Sequence, residues 1–161
     1  MKAGELQLMV GASEEQFAKW SDFLENFGSP VLLGAVGAAS STKLALNQLI
    51  AAMSCAFALS LGFVQRQGVD VEQFMSILRQ SALYAPTFDK KLPQMLERNF
   101  ANPNFPIKHL LKDTNLFLTE AEAIGLNVIS LEGVRKVLEM AQQLGLAEAD
   151  YSSLFAAINP D

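Results

Sequence analysis

The feature that most constrains this chain is an uncharged, mostly apolar stretch from Leu44 to Gln65, bounded by Lys43 and Arg66. Its length fits a membrane span, which requires about 20 predominantly apolar residues. A helix that is hydrophobic all round can equally form the centre of a globular bundle. The bundle is favoured by the polar and small residues within the stretch: Asn47, Gln48, Ser54, Ser60 and Gly62. We therefore predict a central helix from about Ser40 to Gln67, with no membrane association.

Helical periodicity continues through the remainder of the chain. It predicts further helices over Val71–Gln80, Lys108–Ile124, Ile129–Leu144 and Tyr151–Ile158. Asp70 and Asp150 precede the first and last of these as N-caps. Phe74, Ile77 and Leu78 are predicted to face inward, and the apolar positions of the Lys108–Ile124 helix include Leu111, Leu118, Ala121 and Ile124.

Two prolines interrupt the region between the second and third predicted helices. Because proline breaks a helix interior, Pro86 and Pro93 predict two short pieces, Thr87–Lys91 and Gln94–Arg98. The fold class is therefore mainly α, a helical bundle around one long central helix.

The first residues have a different pattern. Glu5–Val10 and Pro30–Leu33 read as short strands, and Glu14–Phe27 reads as an amphipathic helix with a Ser13–Gln16 capping box. Two strands alone are marginal as a sheet. We therefore expect residues 1–36 to be the tail of a larger α/β domain and residues 37–161 to form a helical domain.

Composition excludes several functions. The net charge is −5 without a basic stripe, so we expect no nucleic-acid partner. One histidine and one cysteine, Cys55, cannot build a zinc site, and we expect no metal. A free thiol suits a reducing compartment, which predicts a cytoplasmic protein. Half of the residues are hydrophobic and only 18% are charged, so we expect apolar surface to meet a partner domain or a second subunit.

Two polar clusters are candidates for chemistry. Lys43 and Asn47 share one face at the start of the long helix, a face that we expect to be half-buried. A lysine there can donate a proton to a carbonyl oxygen, although a surface lysine beside a structural asparagine fits the same spacing. Lys108 and Lys112 share a face of a later helix, where they either bind an anion or form a solvated first turn.

The residues around these clusters resemble a known family. Gly34–Asn47 (GAVGAASSTKLALN) resembles the G-x-x-G-x-G-x-x-x-K-x-x-x-N segment of the β-hydroxyacid dehydrogenases. Phe105–Asp113 (FPIKHLLKD) resembles their F-x-x-x-x-x-x-K-D motif, in the form of the glyoxylate/succinic semialdehyde reductase branch. Leu144–Ser152 (LGLAEADYS) is similar to the ending of that branch.

The resemblance implies a role for each matched residue. Lys43 corresponds to the lysine that exchanges a proton with the substrate oxygen, and Asn47 to the asparagine that orients the substrate. Lys112 and Phe105 correspond to residues at the nicotinamide end of the cofactor. The implied fold is a helical bundle like the C-terminal domain of 6-phosphogluconate dehydrogenase, preceded by a strand–helix–strand remnant of a Rossmann-type domain.

The sequence also departs from the family pattern. Ala39 replaces a glycine, Thr114 replaces the usual leucine, and no G-x-G-x-x-G phosphate loop is present. We therefore expect a truncated form of an NAD- or NADP-dependent enzyme, with no tight cofactor binding by this chain alone.

The resemblance implies hydride transfer between a nicotinamide cofactor and a small hydroxy acid or aldehyde acid. The expected partners are a small carboxylate substrate, an N-terminal nucleotide-binding domain, and further copies in a homodimer or higher homo-oligomer. Whether this chain is itself an enzyme stays open, because a non-catalytic helical dimerisation or partner-binding module derived from the family would share these features.

Overall fold

The computed structural model describes residues 6–160 and divides into two compact units. One unit ends at Leu46 and the other begins at Asn47, so the division falls inside a long helix. The assignment of residues 1–36 to a nucleotide-binding domain and of residues 37–161 to a helical domain stays a prediction.

The first unit contains a strand, a helix and a second strand: β1 (Gln7–Gly11), α1 (Glu14–Leu24) and β2 (Ser29–Gly34). The two strands are parallel, and Met9 is paired with Val31. This confirms the predicted order of elements, while Glu5 lies outside the described residues. The capping box also forms, because the Gln16 amide donates to Ser13 Oγ at 3.2 Å and the Ser13 amide donates to Gln16 Oε1 at 3.1 Å.

Helix α1 ends at Leu24 rather than at the predicted Phe27. The chain then turns into β2 through Gly28, which is buried. A Cβ atom at Gly28 would collide with the carbonyl oxygen of Leu6, so this close approach of two backbones requires glycine.

The remaining helices begin with α2, which crosses the division between the units and confirms the predicted long helix. Their bounds are α2 (Ala38–Arg66), α3 (Val71–Arg79), α4 (Pro86–Leu96), α5 (Ile107–Ala123), α6 (Ile129–Ala141) and α7 (Leu154–Ile158). A π-helical turn, Gln142–Leu146, follows α6, and a 3₁₀ turn, Tyr151–Ser153, precedes α7.

Helix α2 supplies much of the core of the second unit. It is long enough for a membrane span, and an 18-residue window within it has a mean hydropathy of 1.7. One face of the helix is nevertheless buried by other helices of the unit, with Ala51, Ala58 and Leu61 fully inaccessible. Burial on this helix also raises the pKa of the Cys55 thiol to about 12. These contacts are those of the core helix of a bundle.

The prediction that Pro86 and Pro93 separate two short helices is wrong. Pro86 occupies the first turn of α4, where a missing N–H costs little, and Pro93 lies inside the same helix. The helix continues because Phe88, Leu92 and Met95 recur on one buried face. Their burial outweighs the one backbone hydrogen bond that Pro93 cannot donate.

The prediction that Ile77 faces inward is wrong, since Ile77 is exposed, and the apolar Ile124 is exposed as well. The inner face of α3 is formed by Phe74, Met75 and Leu78, and Ile77 lies outside that helical stripe. Ile124 follows the last residue of α5, where the helix has already ended.

Asp150 is a fully buried carboxylate that ties several elements of the second unit together. It caps the 3₁₀ turn, as the sequence predicts, by accepting from the Ser152 amide at 3.0 Å. It also pairs with Lys91 Nζ of α4 at 2.8 Å. Burial alone would raise the pKa of Asp150, but the hydrogen bonds from Lys91 and Ser152 outweigh this effect and hold the pKa below its ordinary value of 3.8.

This lowered pKa predicts how stability depends on pH. The ionised form of Asp150 is favoured in the folded state, so its contribution is present above about pH 4 and is lost as the pH falls through the folded-state pKa. We expect Asp150→Asn to lower the free energy of unfolding by about 3 kcal/mol at pH 7. The deficit relative to the unmodified protein should shrink at pH 3.

Urea unfolding of both proteins at the two pH values measures this difference, with the exposed Glu120→Gln in α5 as control. A deficit of Asp150→Asn that is equal at pH 7 and pH 3 would contradict the assignment of a stabilising charge to Asp150.

Candidate substrate and cofactor site

A hydrogen bond in the second unit joins the two motifs that the sequence singled out. Asn47 of α2 donates from Nδ2 to Oδ2 of Asp113 in α5 at 2.7 Å. Asp113 is buried and Asn47 is half-buried. The two residues are separated by 66 positions in sequence, so only the packing of α5 against α2 brings them together.

The second oxygen of Asp113 lies beside Lys112. The Lys112 ammonium is 3.1 Å from Asp113 Oδ1, and 65% of its side chain is exposed. Asp113 therefore interacts with an amide through one oxygen and with a cation through the other. Lys112 remains accessible to an anionic ligand, because an exposed ion pair is held only weakly.

Lys43 lies in α2 one helical turn before Asn47, within the first unit. The expectation of a half-buried lysine is not met, since Lys43 is exposed in this chain. Full burial along α2 begins only at Ala51, and the preceding turns are exposed or half-buried. Within residues 6–160, Lys43 forms no hydrogen bond or ion pair, so its ammonium is accessible from solvent.

Phe105 lies immediately before the N-cap of α5, Pro106. Its side chain is half-buried against the core of the second unit. Its carbonyl oxygen accepts a hydrogen bond from the Tyr151 amide at 3.0 Å. The side chain of Phe105 is therefore packed against the core but not fully buried.

The neighbouring charged residues of α5 are at the surface. Lys108 is half-buried and pairs at 2.7 Å with Glu148, whose side chain is largely exposed. His109 is exposed. Lys108 therefore fits the interpretation of a solvated first turn, whereas Lys112 is engaged with a buried carboxylate.

Sequence reasoning missed the role of Asp113. It assigned functions to Asn47 and Lys112 but none to Asp113, which contacts both of them. The adjacent Lys112 and Asp113 were the available signal in the sequence. Neighbouring positions on a helix point in different directions. Asp113 therefore faces α2 when Lys112 faces solvent.

The first unit has a separate concave region at the carboxyl ends of β1 and β2. It has a volume of about 670 Å³, and its lining includes Ala12, Ser13, Leu32 and Gly34. The carboxyl ends of parallel strands are where open α/β sheets bind ligands. No group of three His, Cys, Asp or Glu side chains suited to a metal ion occurs in the part of the chain that the structure describes.

Comparison with known proteins identifies the family. Residues 37–158 match the family described as NAD-binding of NADP-dependent 3-hydroxyisobutyrate dehydrogenase. The chain belongs to the β-hydroxyacid dehydrogenase family. The resemblance found in the sequence motifs is thereby confirmed.

The family relatives extend well beyond this chain. Glyoxylate/succinic semialdehyde reductase 2 of Arabidopsis thaliana is 28% identical over 96% of the chain and 43% of its own length. The 2-hydroxy-3-oxopropionate reductase of Escherichia coli is 28% identical over 98% of the chain and 54% of its own length. The chain thus spans about half the length of the curated relatives that it matches.

A solved structure of this family shares the fold. The 3-hydroxyisobutyrate dehydrogenase of Mycobacterium tuberculosis aligns with 94% of the chain and 54% of its own length, with a TM-score of 0.84 and 18% sequence identity. This similarity confirms the mainly α fold class of the chain.

Proposed function

We propose that this protein is the substrate-binding half of an NAD(P)-dependent β-hydroxyacid dehydrogenase. Such an enzyme transfers a hydride between a nicotinamide cofactor and a small hydroxy acid or aldehyde acid. The observation that supports this most directly is the Asn47–Asp113 hydrogen bond, because it links the lysine–asparagine segment of α2 to the lysine–aspartate motif of α5.

The names of the relatives support the substrate class. Two of them are reductases of glyoxylate or succinic semialdehyde and of 2-hydroxy-3-oxopropionate. These substrates share a reactive carbonyl group and a carboxylate on a short carbon chain. An amide and a lysine ammonium are suitable partners for that carboxylate.

Lys43 is the general acid in this proposal. In the reductive direction it donates a proton to the carbonyl oxygen of the substrate and stabilises the negative charge that develops there. Its accessible ammonium supports this role, since no partner within residues 6–160 competes with a ligand for its protons. The four-residue spacing of Lys43 and Asn47 in the sequence also supports this role, because residues four apart on a helix share a face.

Asn47 and Lys112 orient the substrate and the cofactor. Asp113 accepts one N–H of the Asn47 amide, which leaves the second N–H and the amide oxygen for a substrate hydroxyl or carboxylate. Asp113 thereby fixes the direction of the amide plane. Lys112 contributes a positive charge to the same region, and its exposed side chain keeps that charge accessible to a ligand.

The nicotinamide cofactor, NADP or NAD, supplies the hydride when it is bound. An accessible cation at Lys112 and a half-buried aromatic ring at Phe105 fit the nicotinamide end of such a group. The sequence offers no Gly-rich loop for the pyrophosphate. We therefore propose that tight cofactor binding requires a separate nucleotide-binding half.

Exposed apolar surface in the first unit supports such a partner domain. Trp20, Phe23 and Phe27 on or just after α1 are each more than half exposed. Their rings contact one another edge to face. A cluster of this size is typical of a surface that another domain covers.

The buried free thiol of Cys55 is in keeping with the proposed cytoplasmic location.

The proposal predicts that activity depends on both halves. The chain alone should show negligible NADPH-dependent reduction of glyoxylate or succinic semialdehyde. Addition or fusion of the N-terminal half of a family reductase should restore turnover in part. In the restored enzyme, Lys43→Met should lower kcat by roughly 100- to 10,000-fold, which is the usual contribution of a general acid.

The exposed Lys136→Met in α6 is a matched control and should leave kcat unchanged. Steady-state kinetics with circular dichroism of each variant makes the measurement. An undiminished rate for a folded Lys43→Met protein would remove Lys43 from the mechanism. Strong turnover by the unassisted chain would contradict the need for a second half.

We also propose that the protein self-associates through α2. Leu59 and Phe63 are four residues apart and are 64% and 63% exposed. Apolar grooves flank this stripe, one lined by Gly133 and Val137 of α6 and the other by Phe74 of α3. A ridge beside a groove suits a second copy related by two-fold symmetry. This surface also favours the alternative function, a non-catalytic dimerisation module.

Sedimentation velocity tests the self-association. We expect a dimer or larger species that Leu59→Glu shifts towards monomer, because a buried charge at the contact is costly. Ile124→Glu, at an exposed position just after α5 and outside these grooves, is the control and should not change the distribution. A monomer at every concentration would contradict this proposal, and an associated but inactive complex with both halves present would favour the non-catalytic module.

A further inference from the structure

A buried ion pair contacts the backbone next to the segment that carries Phe105 and Lys112. Lys91 Nζ of α4 is 2.8 Å from Asp150 Oδ1, and the two side chains are only 4% and 0% exposed. Neither residue belongs to the site described above. Replacing a buried ion pair with apolar side chains is often neutral or stabilising, so the need for stability alone does not account for these charges.

We propose that Lys91 and Asp150 are positioning residues that hold the Phe105–Lys112 segment in its binding geometry. The pair acts through backbone and side-chain contacts to this segment and not by contact with substrate or cofactor. The assignment to binding rests on the proposed function, while the contacts themselves are independent of it.

Asp150 holds the part of the loop between α4 and α5 that precedes Phe105. Its Oδ2 accepts the amide of Asn104 at 3.0 Å, and its own amide donates to the carbonyl of Phe100 at 3.0 Å. The adjacent Tyr151 amide donates to the carbonyl of Phe105 at 3.0 Å. The backbone around the aromatic ring is therefore bound to one short turn.

The same turn also sets the start of α5. Pro106, the N-cap residue, provides no capping side chain. The first amides of the helix instead donate to carbonyl oxygens of the residues just before Asp150. The Ile107 amide donates to Ala149 and the Lys108 amide to Ala147, each at 3.0 Å. Because these bonds fix the entry of α5, they also fix the direction from which Lys112 projects.

Lys91 anchors this turn to α4. Its ammonium lies 4.5 Å from the centre of the Tyr151 ring and donates to Gln94 Oε1 at 3.1 Å. One turn earlier in α4, the Thr87 hydroxyl is 3.0 Å from the Tyr151 hydroxyl. Gln94 also accepts a hydrogen bond from the Ser152 hydroxyl at 3.2 Å. Three residues of α4 thus hold the turn, and Lys91 supplies the positive charge that pairs with Asp150.

The loop itself has a backbone conformation that requires support. Asn102 has φ of 56°, in the left-handed region that is uncommon for residues other than glycine. Such conformations persist when surrounding contacts over-determine them. The bonds from Asp150 and its neighbours to residues 100–107 are contacts of this kind.

Amide hydrogen exchange on the chain in Lys91→Met tests the positioning directly. We expect the exchange rates of the Asn104, Ile107 and Tyr151 amides to rise at least about tenfold more than those of amides in the middle of α2, which report only the loss of global stability. Glu148→Gln is the matched control, because it removes an exposed ion pair that joins the same two segments. It should leave all of these rates unchanged.

A uniform increase of exchange across α2 and α5 would show a purely global stabilising role and would overturn the proposal, as would unchanged rates in the loop. If Lys91→Met does not fold, Asp150→Asn serves instead. It keeps an oxygen acceptor for the Asn104 amide but loses the charge, and the same local pattern is expected with a smaller increase.

Kinetics of the enzyme reconstituted with the N-terminal half give a second measurement. We expect Lys91→Met to raise the KM for NADPH at least about tenfold with little change in kcat, since it weakens binding without removing the proton donor. A fall in kcat with unchanged KM would overturn the link to cofactor binding. If reconstitution yields no activity, the proposed function fails, and the exchange pattern still decides the positioning role.

Discussion

The hydrogen bond between Asn47 and Asp113 is the contact on which the proposed site depends. It is the point at which α2 and α5 present their motif residues to one another inside the second unit. A buried carboxylate needs donors, and here an amide and the neighbouring Lys112 ammonium supply them. Without this contact, Asn47 would have no fixed amide orientation and Lys112 would be one more surface lysine.

The order of elements and the location of the core could be predicted from the sequence because they follow from local patterns. The capping box at Ser13 and the N-cap at Asp70 formed as expected, since both arise from residues three positions apart. The long helix α2 was predicted because its apolar stretch is far longer than a strand requires. The family motifs made Asn47 and Lys112 candidates for the same reason, since a motif can be recognised without knowledge of packing.

The errors lie where distant residues decide the outcome. Pro93 is accommodated in α4 because its neighbours Leu92 and Met95 are buried by other helices, which no local rule includes. The contacts Asn47–Asp113 and Lys91–Asp150 join residues separated by 66 and 59 positions. The exposure of Lys43 depends on where burial begins along α2, and periodicity alone does not give that position.

A double-mutant cycle between Asn47 and Asp113 tests the central claim most directly. Free energies of unfolding would be measured for the chain, Asn47→Ala, Asp113→Ala and the double variant. A hydrogen bond to a charged group predicts a coupling free energy of about 1.5 kcal/mol or more. Effects that add to within about 0.5 kcal/mol would show that the two side chains do not interact, and would contradict the account of the site.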